Sequence, residues 1–276
     1  MPILKIVLES CLCSLSYSGT QVFFAKESPM GLLSRLTRRI SARDKARGVK
    51  LVELIREMDR AAETGAGEEL KTRRAELRAY LESLAGDAEP EALKLSGTGY
   101  FDLASSLREA GEFADAESCY AAAEVALSTL AEHKRYAEFA RAQLAACRNH
   151  IGLLNLEQAD YPKAAAAFDQ AIAMREEVAR RSPKDQENLV FLGGALCNRG
   201  IAAREMGQIT AARQYFEKSQ QTLDPLVSGF DCGSAEALAE ALSRMTGSPH
   251  WLLLAFQFKK TAMEGLASLG GPVPEA

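Results

Sequence analysis

Histidine occurs three times and tryptophan once in this 276-residue chain, and aromatic residues make up only 7% of it. Few residues are β-branched, which removes the usual material of a sheet. Ala, Leu, Glu and Arg dominate instead, and these are strong helix formers. The expectation is an all-α protein. The chain contains no C-x-x-C pair, phosphate-cradling glycine loop, G-x-S-x-G elbow or H-E-x-x-H motif, so the common metal, nucleotide and nucleophile signatures are missing. Acidic residues are plentiful, but they fall on helix faces where any acid–base pairing would be arbitrary. The reading that follows is no enzyme, no cofactor and no metal site.

Six cysteines in a chain of this length do not make a disulfide framework. Cys119, Cys147 and Cys197 fall inside helical patterns, where a thiol serves as a small apolar filler. A reducing, cytoplasmic setting fits this usage. Residues 1–29 read as a leader, disordered or peripheral: the uncharged run from Ser10 to Ala25 is too short and polar to span a bilayer. Met30 is a candidate second start.

Positive charge is concentrated. Seven basic residues stand between Arg35 and Lys50 against Asp44 alone, in a chain whose net charge is −4. The body is therefore acidic, which argues against nucleic acid as the partner. Leu32, Leu36 and Ile40 step by four along one face of the basic stretch. The segment from Leu32 to Lys50 thus has the pattern of a helix lying on an anionic membrane, and equally that of a charged capping helix.

What the chain has in quantity is self-similarity. Ala104, Gly152 and Gly200 are 48 residues apart, and the same step relates Gly111, Ala159 and Gly207. It also relates Phe113, Tyr161 and Ile209; Ala116, Ala164 and Ala212; Tyr120, Phe168 and Phe216; and Ala123, Ala171 and Ser219. The paired small residues let two antiparallel helices approach closely. The aromatic at i+4 and the small residue at i+7 continue one buried stripe. Gly111 and Gly207 suit the left-handed residue that ends a helix, while Ala159 departs from that pattern. After Ala159, Asp160 and Pro162 form a good helix start, as do Ser182, Pro183 and Asp185 further on.

These registers resemble the tetratricopeptide repeat (TPR) family, in a lengthened form like that of kinesin light chain. The resemblance covers about 99 to 226 and implies an α–α superhelix: a TPR-like solenoid of three 48-residue repeats between irregular helical caps. Residues 30–90 then form the basic segment and an N-terminal helical cap, 91–229 the repeats, and 230–276 a C-terminal helical cap with a disordered tail.

The resemblance also implies a non-catalytic scaffold that binds a peptide or helical segment of a partner protein on its concave face. Positions −3, +1 and +4 from the small residue share one stripe. They give Phe101, Ser105 and Arg108, then Asn149, Leu153 and Leu156, then Cys197, Ile201 and Arg204, with His150 and Asn198 adjacent. Within this set Phe101, Arg108, Asn149, Leu153, Leu156, Asn198, Ile201 and Arg204 are the expected partner-binding residues, the apolar ones supplying area. Because Phe101 occupies a −3 position, the lysine-rich carboxylate clamp of chaperone-binding TPRs is not expected.

Two other readings stay open. The apolar stretch from Trp251 to Phe258 would suit a homo-oligomeric structural spacer. A helical enzyme would have to use Cys147 and His150, three apart on one face, with Glu157.

Overall fold

The computed structural model describes residues 41–228 and 251–270. Among these residues there are nine α-helices and no strand. Hairpin follows hairpin: α1 (Ala42–Glu63) with α2 (Gly67–Leu84), α3 (Pro90–Glu109) with α4 (Phe113–Ala131), α5 (Ala137–Glu157) with α6 (Tyr161–Arg181), and α7 (Gln186–Glu205) with α8 (Ile209–Val227). Last comes the single helix α9 (Trp251–Ser268). The arrangement is all-α and TPR-like.

The 48-residue step governs the helix ends. The first helices of three hairpins stop at Glu109, Glu157 and Glu205, and their partners start at Phe113, Tyr161 and Ile209. Between them stands one left-handed residue, with φ of 79° at Gly111, 59° at Ala159 and 72° at Gly207. The following amide reaches back five residues each time: Glu112 N–H to Leu107 O at 2.9 Å, Asp160 to Asn155 at 2.8 Å, Gln208 to Ala203 at 2.9 Å. This is a Schellman closure, which satisfies carbonyls the helix end leaves open. Ala159 adopts the conformation despite its Cβ. The α1–α2 hairpin has the same turn, with Gly65 at φ 67° and Ala66 N–H on Ala61 O.

The chain divides into two compact units, Met30–Leu154 and Asn155–Ala276. In the N-terminal unit, α1 begins at Ser41, whose Oγ accepts from the Asp44 N–H at 3.1 Å. Arg47 pairs with Asp87 at 2.8 Å, so part of the basic stretch is tied down within the unit. Leu32, Leu36 and Ile40 lie outside the described residues. Leu51, Leu54, Met58, Leu77 and Leu81 are buried between α1, α2 and α3. Small residues admit them: a Cβ on Gly99 would stand 2.5 Å from Leu81 and 2.9 Å from Leu51, and one on Gly97 would stand 2.6 Å from Leu127 of α4. Ala104, Ala116, Tyr120 and Ala123 are fully buried, so the repeat registers are core positions.

In the C-terminal unit the same contacts recur. A Cβ on Gly200 would lie 2.8 Å from the Phe216 ring, and one on Gly193 would lie 2.5 Å from Leu223. Asp160 caps α6, its Oδ1 accepting from the Lys163 N–H. The start of α7 differs from the sequence expectation. Ser182 N–H bonds Val178 O and so terminates α6. Asp185 is the cap instead, accepting from the Asn188 N–H at 3.0 Å, and the helix begins at Gln186. Helix α9 closes the unit: Phe258 packs against Gly194 of α7, and Gly265 against the Phe216 ring of α8.

Candidate interaction surface

The expected stripe is largely interior. Phe101, Arg108, Leu153, Leu156, Asn198 and Ile201 are all buried, while Asn149 and Arg204 remain partly open. Leu153, Leu156 and Ile201 therefore support the helices from within, and the apolar area expected of them for a partner is not at the surface. The reason is plain for α7, which packs against α6, α8 and α9 and keeps few free faces.

In the N-terminal unit the stripe of α3 meets α4 and α5 in a polar cluster. Ser105 Oγ and Tyr120 OH lie 3.1 Å apart, and each approaches His150 Nδ1, at 3.4 and 3.2 Å. The Phe101 ring stands edge-on to His150 at a centroid distance of 4.8 Å. Arg108 donates to the Tyr120 hydroxyl. Burial and then the nearby Arg108 cation push the His150 pKa down to about 3, so the imidazole is neutral. Burial, reinforced by the Glu124 charge, pushes the Cys147 thiol up. A buried thiol held protonated beside a poor base is the opposite of an activated pair, which removes the motive for the Cys147/His150 enzyme reading. Among the described residues no three His, Cys, Asp or Glu side chains are grouped to hold a metal ion.

Register reasoning left out Asp102. It stands 48 residues before His150, which in turn stands 48 before Asn198, so three repeats place a polar residue at the same register. Asp102 is 4% exposed, and neither carboxylate oxygen has a hydrogen-bond partner among the described residues. Burial raises its pKa well above the ordinary carboxylate value, and Asp59 on α1 raises it further.

Two buried arginines were also missed. Arg74 fills the α2–α3 contact, donating to Ser106 Oγ at 3.0 Å and Ser106 O at 2.5 Å, and pairing with Glu112 at 2.8 Å. It satisfies a carbonyl near the end of α3. In the C-terminal unit Arg175 occupies the register of Leu127 and Leu223. Its guanidinium lies over Phe191 at 4.9 Å and reaches Asn188 Oδ1 at 3.4 Å, and burial lowers its pKa to about 10.

Arg204 pairs with its neighbour Glu205 at 2.9 Å and reaches Ser268 of α9. The apolar side chains of α9 also have partners in their own unit. Leu252, Leu254, Phe256 and Phe258 are buried in one cluster with Val190, Leu223 and Val227. Leu252, Leu254, Phe256 and Phe258 thus pack within the chain's own unit, against α7 and α8.

Comparison with known proteins now bears directly on these hairpins. Two tetratricopeptide-repeat family models match the chain, one over residues 144–181 and one over 193–221. The chain contains tetratricopeptide repeats. The matched stretches correspond to α5–α6 and α7–α8, and the shared turn and registers extend the TPR pattern to α3–α4. TPR repeats generally mediate protein–protein interaction as non-catalytic scaffolds. Comparison with curated proteins returns no match. No described helix is long and apolar enough to cross a membrane.

Proposed function

We propose that this TPR protein is a non-catalytic scaffold that takes an extended or helical segment of a partner protein on the face lined by the first helices of its hairpins. In the N-terminal unit that face runs over α3 and α5, where Ser105, Asn149 and His150 are half-buried and reach solvent. The observation that carries the reading is the polar cluster itself. Packing needs alone would fill this register with apolar residues, yet Ser105, Tyr120, Arg108 and His150 are brought together there. Such groups orient a peptide backbone through donors and acceptors held in place beforehand. Asn149 adds an amide that both donates and accepts. With little apolar area on offer, binding is weak and exchangeable, of micromolar order.

Two substitutions on opposite faces test this. Asn149→Glu alters the first-helix face, and Val125→Glu alters the outer face of α4, where Val125 is 70% exposed. Captured partners are expected to be lost with Asn149→Glu and kept with Val125→Glu. The reverse pattern would move the site to the second helices.

A further inference from the structure

In the first two turns of α3, Glu91 and Lys94 have the i, i+3 spacing at which charges on a helix pair. They do not pair here. Glu91 Oε1 accepts from the hydroxyl of Tyr136, the residue before α5. The Lys94 ammonium lies instead over the Phe139 ring of α5, 5.0 Å from its centroid. Among the described residues it makes no hydrogen bond and no ion pair. The nearby cation is Arg135, whose guanidinium stands over the Tyr136 ring at 5.3 Å and repels the Lys94 charge.

Other lysines of the chain meet a carboxylate, as Lys71 does Glu68 at 2.9 Å and Lys259 does Asp224 at 2.7 Å. Lys94 is half-buried against an aromatic wall with a like charge beside it. An apolar wall and a second cation are the two conditions that make a lysine amine nucleophilic, because both disfavour the ammonium. Burial lowers the Lys94 pKa from the ordinary lysine value; the Glu91 charge opposes the shift and Arg135 adds to it.

We infer that Lys94 is a modification site, where α3 meets the start of α5, whose ε-amine takes a small neutral acyl group from an acyl thioester. This is independent of the scaffold reading. The neutral amine adds to the thioester carbonyl carbon, the C–N bond forms and the C–S bond breaks. The sulfur leaves and takes up the proton that nitrogen gives off, so the products are an amide and a free thiol. The amide carries no charge, which removes both the repulsion from Arg135 and the cost of a half-buried ammonium.

The test treats the full chain near neutral pH with limiting S-acetyl-N-acetylcysteamine, a simple acyl thioester, and reads acetylation of each lysine by peptide mass spectrometry. Each rate is divided by that of the same lysine in the urea-unfolded chain, which removes effects of local sequence. On this scale Lys94 is expected to react at least about threefold faster than the exposed Lys134 and Lys184. Arg135→Gln, at an exposed position, is expected to bring that advantage towards one, and Arg135→Lys, which keeps the charge, to preserve it. Circular dichroism checks that both variants keep their helices. A Lys94 rate at or below that of the two exposed lysines overturns the site. An advantage that Arg135→Gln leaves whole overturns it as well, because the amine would then owe its reactivity to something other than this cluster.

Discussion

The two units use one hairpin design for different ends. At the aromatic register the C-terminal unit has Phe216, enclosed by Gly200 and Gly265, and at the neighbouring leucine register it has Leu223 on Gly193. The N-terminal unit places Tyr120 at the aromatic register, with its hydroxyl among Ser105, Arg108 and His150. The polar position beside it holds Asp102, whose carboxyl has no hydrogen-bond partner among the described residues. One unit spends its first-helix surface on its own α9, and the other keeps polar groups there that packing does not need. A repeat therefore fixes where side chains sit and leaves free what each site is used for.

The largest effect that would sharpen this contrast comes from Phe216. Phe216→Ala opens a cavity between Gly200 and Gly265, and a loss of about 3 to 5 kcal/mol is expected by urea unfolding. A loss below about 1 kcal/mol would show that α9 is loosely held and the contrast overstated. Asp102→Leu runs the other way, with a gain of about 1 to 3 kcal/mol at pH 7. The sign follows from linkage: the folded carboxyl holds its proton above the ordinary pKa of 3.8, so the native chain loses stability as pH rises through that value towards the folded pKa. The advantage of Asp102→Leu is expected to shrink below about pH 4, which paired unfolding curves at pH 3.5 and 7 would show. A pH-independent gain would mean Asp102 is already charged in the fold.

Smaller effects separate the two aromatic positions. Tyr120→Phe removes hydrogen bonds to Ser105 and His150 and is expected to cost about 1 kcal/mol. The His150 pKa is expected to stay low, because burial dominates it; NMR titration checks this. Ala159→Gly relieves the left-handed residue of the middle turn, at φ 59°. The relief of about 1 to 2 kcal/mol is partly offset by the freer unfolded chain, leaving a net gain of about 0.5 to 1 kcal/mol in urea unfolding. Gly111→Ala, the mirror experiment, is expected to lose a similar amount.

The hairpins were legible in the sequence because close packing imposes chemistry: where two helices nearly touch, only Gly or Ala fits, and the opposing Tyr120, Phe168 or Phe216 must follow at a set distance. Turn positions were legible for the same reason, down to Ala159 as the odd member. Which stripe of a first helix reaches solvent was not. Leu153 and Ile201 have the right spacing for a wall, yet both are buried; Ile201 lies on α7, which is flanked by three helices, and spacing alone does not say how many neighbours a helix has. Asp102 escaped notice because an aspartate in an Ala- and Ser-rich helix looks solvated; only its burial shows that it is not. The start of α7 was misplaced by three residues because Ser182 and Asp185 are both good caps, and only the Ser182 bond to Val178 decides between them.

The uniform turn at Gly111, Ala159 and Gly207 has a consequence for how such a chain lengthens. Each closure occurs at the same helical phase, so a duplicated cassette from Glu112 to Ala159 would rejoin its flanking helices in step, every small residue again meeting an aromatic. The Gly65 turn lies 46 residues before Gly111 and falls out of that step. Growth by duplication stays in register from the α3–α4 hairpin onward, whereas a copy joined at the Gly65 turn would fall out of step.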